Sequence, residues 1–323
     1  MFKFVFRFLL ALLLVPGATS QAADLAAWSP QIEDHPSTVA LRSFLDRFQA
    51  QTGQASKQML PIEVGKDQAK LLDSIREGEI GVAVLTGSAV GKMAPMAEVM
   101  RLPFILRNSR QMFSLLEGEL GQDMEKRLAA SGMVLLGWYD GGSRAIYSRD
   151  KLDSAAALKQ VKIRVPARKD LTSLVSSLGG TPLQLEYKAV NSAFDERKID
   201  AAENDLLSYE SEGHYKRARY YYLNNNHIVQ FEALVVSKRV WDRLSPAQRE
   251  AVMASGKESA KLNRDLWTQR MAKARTRLEK EGVKFVEYGD SSVLLSRVAA
   301  IYKPYMQNPA TQDLLVRLMT SRS

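Results

Sequence analysis

A chain of 323 residues, 46% hydrophobic and 25% charged, is long enough for two domains, and with no cysteine it has no disulfide, thiolate metal site, thiol nucleophile or lipid-attachment residue. The formal net charge of +9 has the sign of a nucleic-acid binder. The bases are interleaved with acids, as where Lys273, Arg275 and Arg277 precede Glu279 and Glu281, and no dense basic tract occurs, so no nucleic-acid partner is expected.

The chain opens with Lys3 and Arg7, then the apolar run Phe8–Val15, the break Pro16-Gly17 and the small residues Ser20-Gln21-Ala22. This order of basic, apolar and small residues reads as a cleavable secretory signal over 1–22, too short to span a bilayer comfortably. Its removal takes away Lys3 and Arg7 and leaves 301 residues at +7. The mature protein is therefore expected to be soluble, free in the periplasm and monomeric.

From there helical and strand periods alternate. Leu41, Phe44, Leu45 and Phe48 stand at helical spacing before Gly53, Met59–Val64 reads as a strand, and Leu71–Ile75 as a helix ending near Gly78. Ile80–Leu85 is a buried-type strand. Asn108 or Ser109 caps one helix carrying Met112, Phe113, Leu116, Leu120, Met124 and Leu128, and Met133–Trp138 is the next strand. The rhythm repeats. Strands are expected at Val161–Val165, Leu183–Tyr187, Ile199–Ala202, Phe231–Val236 and Val283–Tyr288. Helices are expected at Leu171–Leu178, Val190–Arg197, Leu294–Tyr302 and Leu314–Met319. Ser245-Pro246-Ala247-Gln248 is a helix start with Ser at the N-cap, Pro at N1 and Gln at N3, opening a helix that could run to Gly282 and bridge two lobes.

This alternation predicts an α/β fold with largely parallel strands and a ligand crevice between two lobes. Lobe I is expected over 23–141 and lobe II over 142–229. The chain then returns to lobe I with a bridging helix over 230–270 and to lobe II over 271–300, and ends in a helical segment over 301–323.

The catalytic patterns fail one by one. The three histidines, His35, His214 and His227, have no metal-like i,i+4 partner. Gly141-Gly142-Ser143-Arg144-Ala145 lacks the final glycine of a nucleophile elbow. Gly91-Lys92-Met93 and Gly256-Lys257-Glu258 lack the other residues of a phosphate loop, and no dinucleotide glycine fingerprint occurs. No enzymatic activity, metal or cofactor is expected.

The pattern that remains is two arginines. Arg144 follows a glycine-rich turn. Arg164 lies in Val161–Val165, where alternation puts Val161, Ile163 and Val165 on one face and Arg164 on the other. A guanidinium keeps its charge and presents a rigid fork that matches a carboxylate. The competing reading puts both on solvated surfaces.

Five segments decide between these readings by resemblance. They are Met100-Arg101-Leu102-Pro103-Phe104-Ile105-Leu106, Gly142-Ser143-Arg144, Val161–Pro166, Ala202-Glu203-Asn204 through Tyr222, and Val235–Trp241 with Leu244-Ser245-Pro246. In this order, from about Trp28 to Lys303, the chain resembles the substrate-binding proteins of tripartite ATP-independent periplasmic (TRAP) transporters. The resemblance implies a two-lobed periplasmic binding protein fold with two mixed sheets, several chain crossovers and a long bridging helix. It implies capture of an organic acid, closure of the lobes, and delivery to a TRAP-type permease driven by an ion gradient. An extracytoplasmic sensor subunit would share the same pocket.

Residue by residue, the family's carboxylate-pairing arginine falls on Arg164, the assisting one on Arg144, and a usual pocket asparagine on Asn204. The stretch Ala202–Tyr222 resembles the subgroup associated with uronates and related sugar acids. Asn204, Tyr209, Glu210 and His214 would then supply hydroxyl partners. The bland readings are that Asn204 caps a helix and that Tyr220–Tyr222 pack in the core. Asp34-His35-Pro36 resembles a pocket-lining loop. Pro61–Lys66 departs from the family's Pro-x-Gly-Gln-Leu-Gly turn, which leaves C4-dicarboxylates and other acids open as ligands.

Overall fold

In the computed structural model residues 25–59, 68–152, 154–222, 227–287 and 291–320 are described. The signal expected at 1–22, the departure at Pro61–Lys66 and most of the strand expected at Met59–Val64 lie outside them. The strands are β1 (Leu25–Trp28), β2 (Ser56–Met59), β3 (Val82–Thr86), β4 (Met133–Ser148), β5 (Lys162–Val165), β6 (Thr181–Gln184), β7 (Ala201–Asn204), β8 (Tyr220–Tyr222), β9 (Ile228–Ser237) and β10 (Lys284–Val286). They lie in the order β2-β1-β3-β9-β4-β7-β5-β6, with β8 pairing β4 and β10.

The first lobe is built on β2-β1-β3-β9 and the start of β4, the second on the end of β4 with β7-β5-β6 and β8-β10. The two sheets are not separate, because β4 runs through both. Met133–Arg144 pairs β9 and the last four residues, Ala145–Ser148, pair β7. Gly141-Gly142 therefore marks a bulge inside one long strand, where the register with β9 shifts between Asp140 and Ser143. The expectation of largely parallel strands is corrected in the middle of the sheet. β3–β9, β9–β4 and β4–β7 are antiparallel, because β9 brings the chain back into the first lobe beside the strand that left it. The flanking pairs β1–β2, β1–β3, β5–β6 and β5–β7 are parallel.

Two apolar layers enclose the first lobe's sheet. On one face the helix Pro36–Thr52 buries Leu41, Phe44 and Phe48 against Val82, Val84, Leu136 and Val236. Each such side chain contributes about 1.5–3 kcal/mol on leaving water. That helix ends where Gly53 turns left-handed at φ 71°. The other layer continues into the second lobe and under the C-terminal helices Ser291–Met306 and Pro309–Thr320. One expected helix is in fact two, Ser109–Leu116 and Glu119–Ala130. Gly118 is extended between them, while Met112, Met124 and Leu128 still share one core.

The long helix spans Pro246–Lys280 and carries the full capping box expected of Ser245 and Gln248. At 35 residues it is about 52 Å long. Val252 and Ala260 pack into the first lobe's core, and Ala274 and Leu278 into the second lobe's. Among the described residues no helix is long and apolar enough to cross a membrane.

The crossing at Gly142 is tight. Its φ is +77°, and a Cβ there would lie 2.6 Å from the Trp267 ring of the long helix. Gly142→Ala should therefore combine roughly 1–2 kcal/mol for the left-handed backbone with about 1–3 kcal/mol of overpacking. Thermal unfolding should show a clearly lowered midpoint, and an unchanged midpoint would mean that the bulge relaxes freely.

Candidate functional site

Strand β5 alternates as its sequence requires. Ile163 and Val165 enter the core and Lys162 is exposed. Arg164, however, is only 3% exposed, which removes the solvated-face reading. Its Nε and Nη2 both donate to the Leu185 carbonyl, at 2.9 and 2.7 Å, and its guanidinium lies 5.8 Å from the Tyr187 ring centre. No carboxylate is within ion-pair distance among the described residues. Burial pushes its pKa down, against the pull of Tyr147 and Glu203, yet a guanidinium stays protonated in a protein. A buried, fixed cation without an anion is costly.

Arg144 is committed differently. Its Nε and Nη2 grip both carboxylate oxygens of Glu203, at 2.7 and 2.8 Å. Glu203 is fully buried and also within 3.2 Å of His227 Nε2. Burial alone would raise the Glu203 pKa, but the charge of Arg144 and the His227 and Arg144 hydrogen bonds outweigh it and bring it down to about 2. The fork of Arg144 is therefore spent on Glu203.

Asn204 ends β7 at 6% exposure, and its Oδ1 accepts from the Asp205 backbone N–H at 2.9 Å. The helix Leu206–Ser211 is capped by Asp205, whose side chain accepts from Ser208 N. Asn204 is thus not the cap, and its amide nitrogen is left to donate.

Two expected contacts are corrected by burial. Tyr209 is fully buried, with its hydroxyl donating to the Ala218 carbonyl at 2.6 Å and its ring packed on Tyr147 and Tyr221. His214 is 1% exposed, hydrogen-bonded through Nδ1 to the Tyr147 hydroxyl at 2.8 Å, with its ring edge-on to Tyr187. Burial, reinforced by Arg164 and Arg217, pulls its pKa down to about 4, so it is neutral at pH 7. Both are a wall behind Arg164 and Tyr187 rather than its surface. Glu210 does face a groove, but pairs with Arg277 of the long helix at 3.3 Å. Tyr221 and Tyr222 are core residues, as the bland reading had it.

Two cavities open between the lobes. One, of about 430 Å³, is lined by Asp34, His35, Asp205, Ser208, Glu210 and Arg270. His35 is the N-cap of the helix Pro36–Thr52 and sits edge-on to Trp267, so the early loop does reach the crevice. The other, of about 300 Å³, is lined by Gln31, Ser88, Arg101, Gln230 and Glu232 of the first lobe and Arg168 of the second. Periodicity missed most of these. Glu232 could have been noticed as the one acid inside the apolar strand Phe231–Val236. Among the described residues no cluster of His, Asp or Glu is suited to a metal.

Residues 31–308 match the family described as bacterial extracellular solute-binding protein, family 7. A solute-binding protein of Chromohalobacter salexigens is 28% identical over 308 residues, covering 94% of this chain and 91% of the relative. A TRAP periplasmic solute-binding protein from Sulfitobacter sp. NAS-14.1, solved with bound β-D-galacturonate, superposes at a TM-score of 0.78 with 30% identity, covering 91% of this chain and 99% of that one. A TRAP periplasmic solute-binding protein from Chromohalobacter salexigens, solved with bound D-glucuronate, gives a TM-score of 0.80 with 28% identity and the same coverage.

Proposed function

The chain belongs to the family 7 bacterial extracellular solute-binding proteins, and from that premise we propose that it captures a hexuronate between its lobes and presents it to a TRAP-type permease. The observation that carries the reading is Arg164, a buried guanidinium held by the Leu185 carbonyl with no acid of its own. The ligand carboxylate takes the open side of that fork, and Asn204 donates its free amide to the ligand. Arg144 adds positive potential while staying locked to Glu203. Cavities of about 300 and 430 Å³ between the lobes have the size for such a ligand, and although Arg164 and Asn204 line neither of them, Asp205, next to Asn204, lines the larger. The relatives from Sulfitobacter and Chromohalobacter favour a uronate over a four-carbon diacid.

In this reading residues 1–22 direct export and are removed, and the mature chain works in the periplasm as a monomer. Ligand closes the lobes by bending where β4 and β9 cross between them, which buries the acid away from water. The chain itself performs no covalent step.

Isothermal titration of the mature protein with galacturonate, glucuronate, malate and succinate tests the ligand class. Both uronates should bind at least tenfold tighter than either diacid, a difference of about 1.4 kcal/mol or more. At 100 times its dissociation constant a true ligand should add about 2.7 kcal/mol of stability in a thermal melt. Binding of the diacids alone would contradict the uronate assignment.

A further inference from the structure

Arg164 has a counterpart of opposite sign. Glu232, in β9, is 3% exposed, and among the described residues no cation lies within ion-pair distance of it. The guanidiniums that share its cavity are occupied, Arg101 by Glu98 at 2.7 Å and Arg168 by Asp170 at 3.1 Å through Nε. Arg101 also approaches Asp170, at 3.6 Å. Among the described residues the cavity wall thus carries no cation without an acidic partner.

The Glu232 carboxyl is held in position rather than left loose. Its Oε1 accepts from Gln31 Nε2 at 2.9 Å and its Oε2 from the Ser37 hydroxyl. Ser37 Oγ in turn accepts from Asn263 Nδ2 at 3.2 Å, and Asn263 Oδ1 accepts from the Asp140 backbone N–H at 2.7 Å. This buried chain ties the carboxyl to the long helix and to the β4 crossing. A carboxylate has about four acceptor positions, and these two bonds fill half of them. Burial holds the group's pKa up to about 7 against the Ser37 and Gln31 hydrogen bonds, and Asp140 adds negative potential.

We infer that Glu232, oriented by Gln31 and Ser37, is the specificity-determining residue of the first lobe, accepting a hydrogen bond from a ligand hydroxyl and excluding a second carboxylate. The inference rests on the sugar-acid reading and deepens it. An O–H donor meeting this acceptor forms a charge-assisted bond. A carboxylate in the same place faces like charge with no cation to offset it, which is discrimination by repulsion. The ligand is then a monoacid with hydroxyls at its far end, not an aldaric diacid.

Calorimetric titration of the mature protein and of Glu232→Gln with galacturonate and galactarate tests this, because the two share a carbon count and the configuration at C2 to C5, galactarate carries a second carboxylate at C1 where galacturonate closes its ring, and the variant separates that charge from the difference in shape. At about pH 8.5, above its pKa of about 7, Glu232 is ionised, and there the wild type should favour galacturonate by roughly 100-fold or more, the size expected of like-charge rejection. Glu232→Gln should weaken galacturonate by about tenfold, the lower range for a hydrogen bond to a charged group. It should also narrow the preference by at least tenfold. An unchanged preference overturns the inference while leaving the uronate reading intact. If the wild type binds neither acid, the uronate reading itself fails. Should Glu232→Gln not fold, Gln31→Ala removes one orienting bond from a partly exposed position. It should weaken galacturonate and leave galactarate unchanged, and equal losses for both overturn the inference.

Discussion

Arg164→Ala is expected to weaken hexuronate binding by roughly 150- to 5000-fold with the fold retained. The magnitude follows from the burial of the guanidinium. Once the lobes close, its removal leaves the ligand's carboxylate without a partner, at about 3–5 kcal/mol. The protein without ligand should suffer little. Among the described residues Arg164 forms no ion pair with another side chain, its neighbours Ile163 and Val165 keep β5 in the core, and the Leu185 carbonyl loses its donors. Arg164→Lys should recover little, because an ammonium cannot hold the Leu185 carbonyl with two parallel bonds and face a carboxylate at once. Titration calorimetry gives the affinities and circular dichroism the fold. A folded Arg164→Ala protein within about threefold of wild type, under 1 kcal/mol, would remove the clamp from the account.

Arg144→Ala should behave in the opposite way, as a loss of stability more than of contact. A surface arginine after a glycine-rich turn, the competing reading of the sequence, would tolerate the change. The structure instead puts Arg144 on a fully buried Glu203. Breaking such a pair from one side costs about 3–5 kcal/mol. The defect should depend on pH. Glu203 has a folded pKa of about 2, depressed from its ordinary value of 4.5. A depressed carboxylate contributes stability that is present above its ordinary pKa and lost as pH falls through its folded pKa. The wild type therefore loses this contribution between about pH 4.5 and 2. The variant gains where its unpaired buried carboxyl takes up a proton. The gap between them should be widest at neutral pH and narrow in acid. Arg144→Met with Glu203→Leu should restore much of the loss, because no buried charge remains. Denaturant melts of the three proteins at pH 7 and pH 4 measure this, and a pH-independent gap would mean that the pair is not the cause.

These two arginines show what the sequence made legible. Arg164 could be read because its environment is local. Strand alternation fixes its face, and two-residue periodicity distinguishes it from Ile163 and Val165. The partner of Arg144 lies 59 residues away, and nothing in the spacing of Gly141–Ala145 announces it. The segment Asn204–Tyr222 was read from its polar atoms, but burial decides what those atoms meet. Tyr209 spends its hydroxyl on the Ala218 carbonyl, and His214 turns toward Tyr147.

The same contrast holds for the fold. Ser245 and Gln248 announce the long helix because capping is a matter of three residues. The break at Gly118 was hidden because Met112 and Met124 keep one apolar face across it. The continuity of β4 was hidden because a glycine pair reads equally well as a turn or as a bulge. Four-residue strands such as β1 carry too few positions for a period to show.

The central claim, that Arg164 recognises a carboxylate, is tested most directly by changing the residue and the ligand together. Wild type and Arg164→Ala are titrated with galacturonate and with galactose, which matches it except that it has CH₂OH in place of the carboxylate. The account predicts that the wild type prefers the acid by at least 100-fold, about 2.7 kcal/mol, and that Arg164→Ala abolishes most of that preference by losing the acid alone. A preference for the acid that survives intact in Arg164→Ala would contradict it, because the carboxylate would then be read by another group.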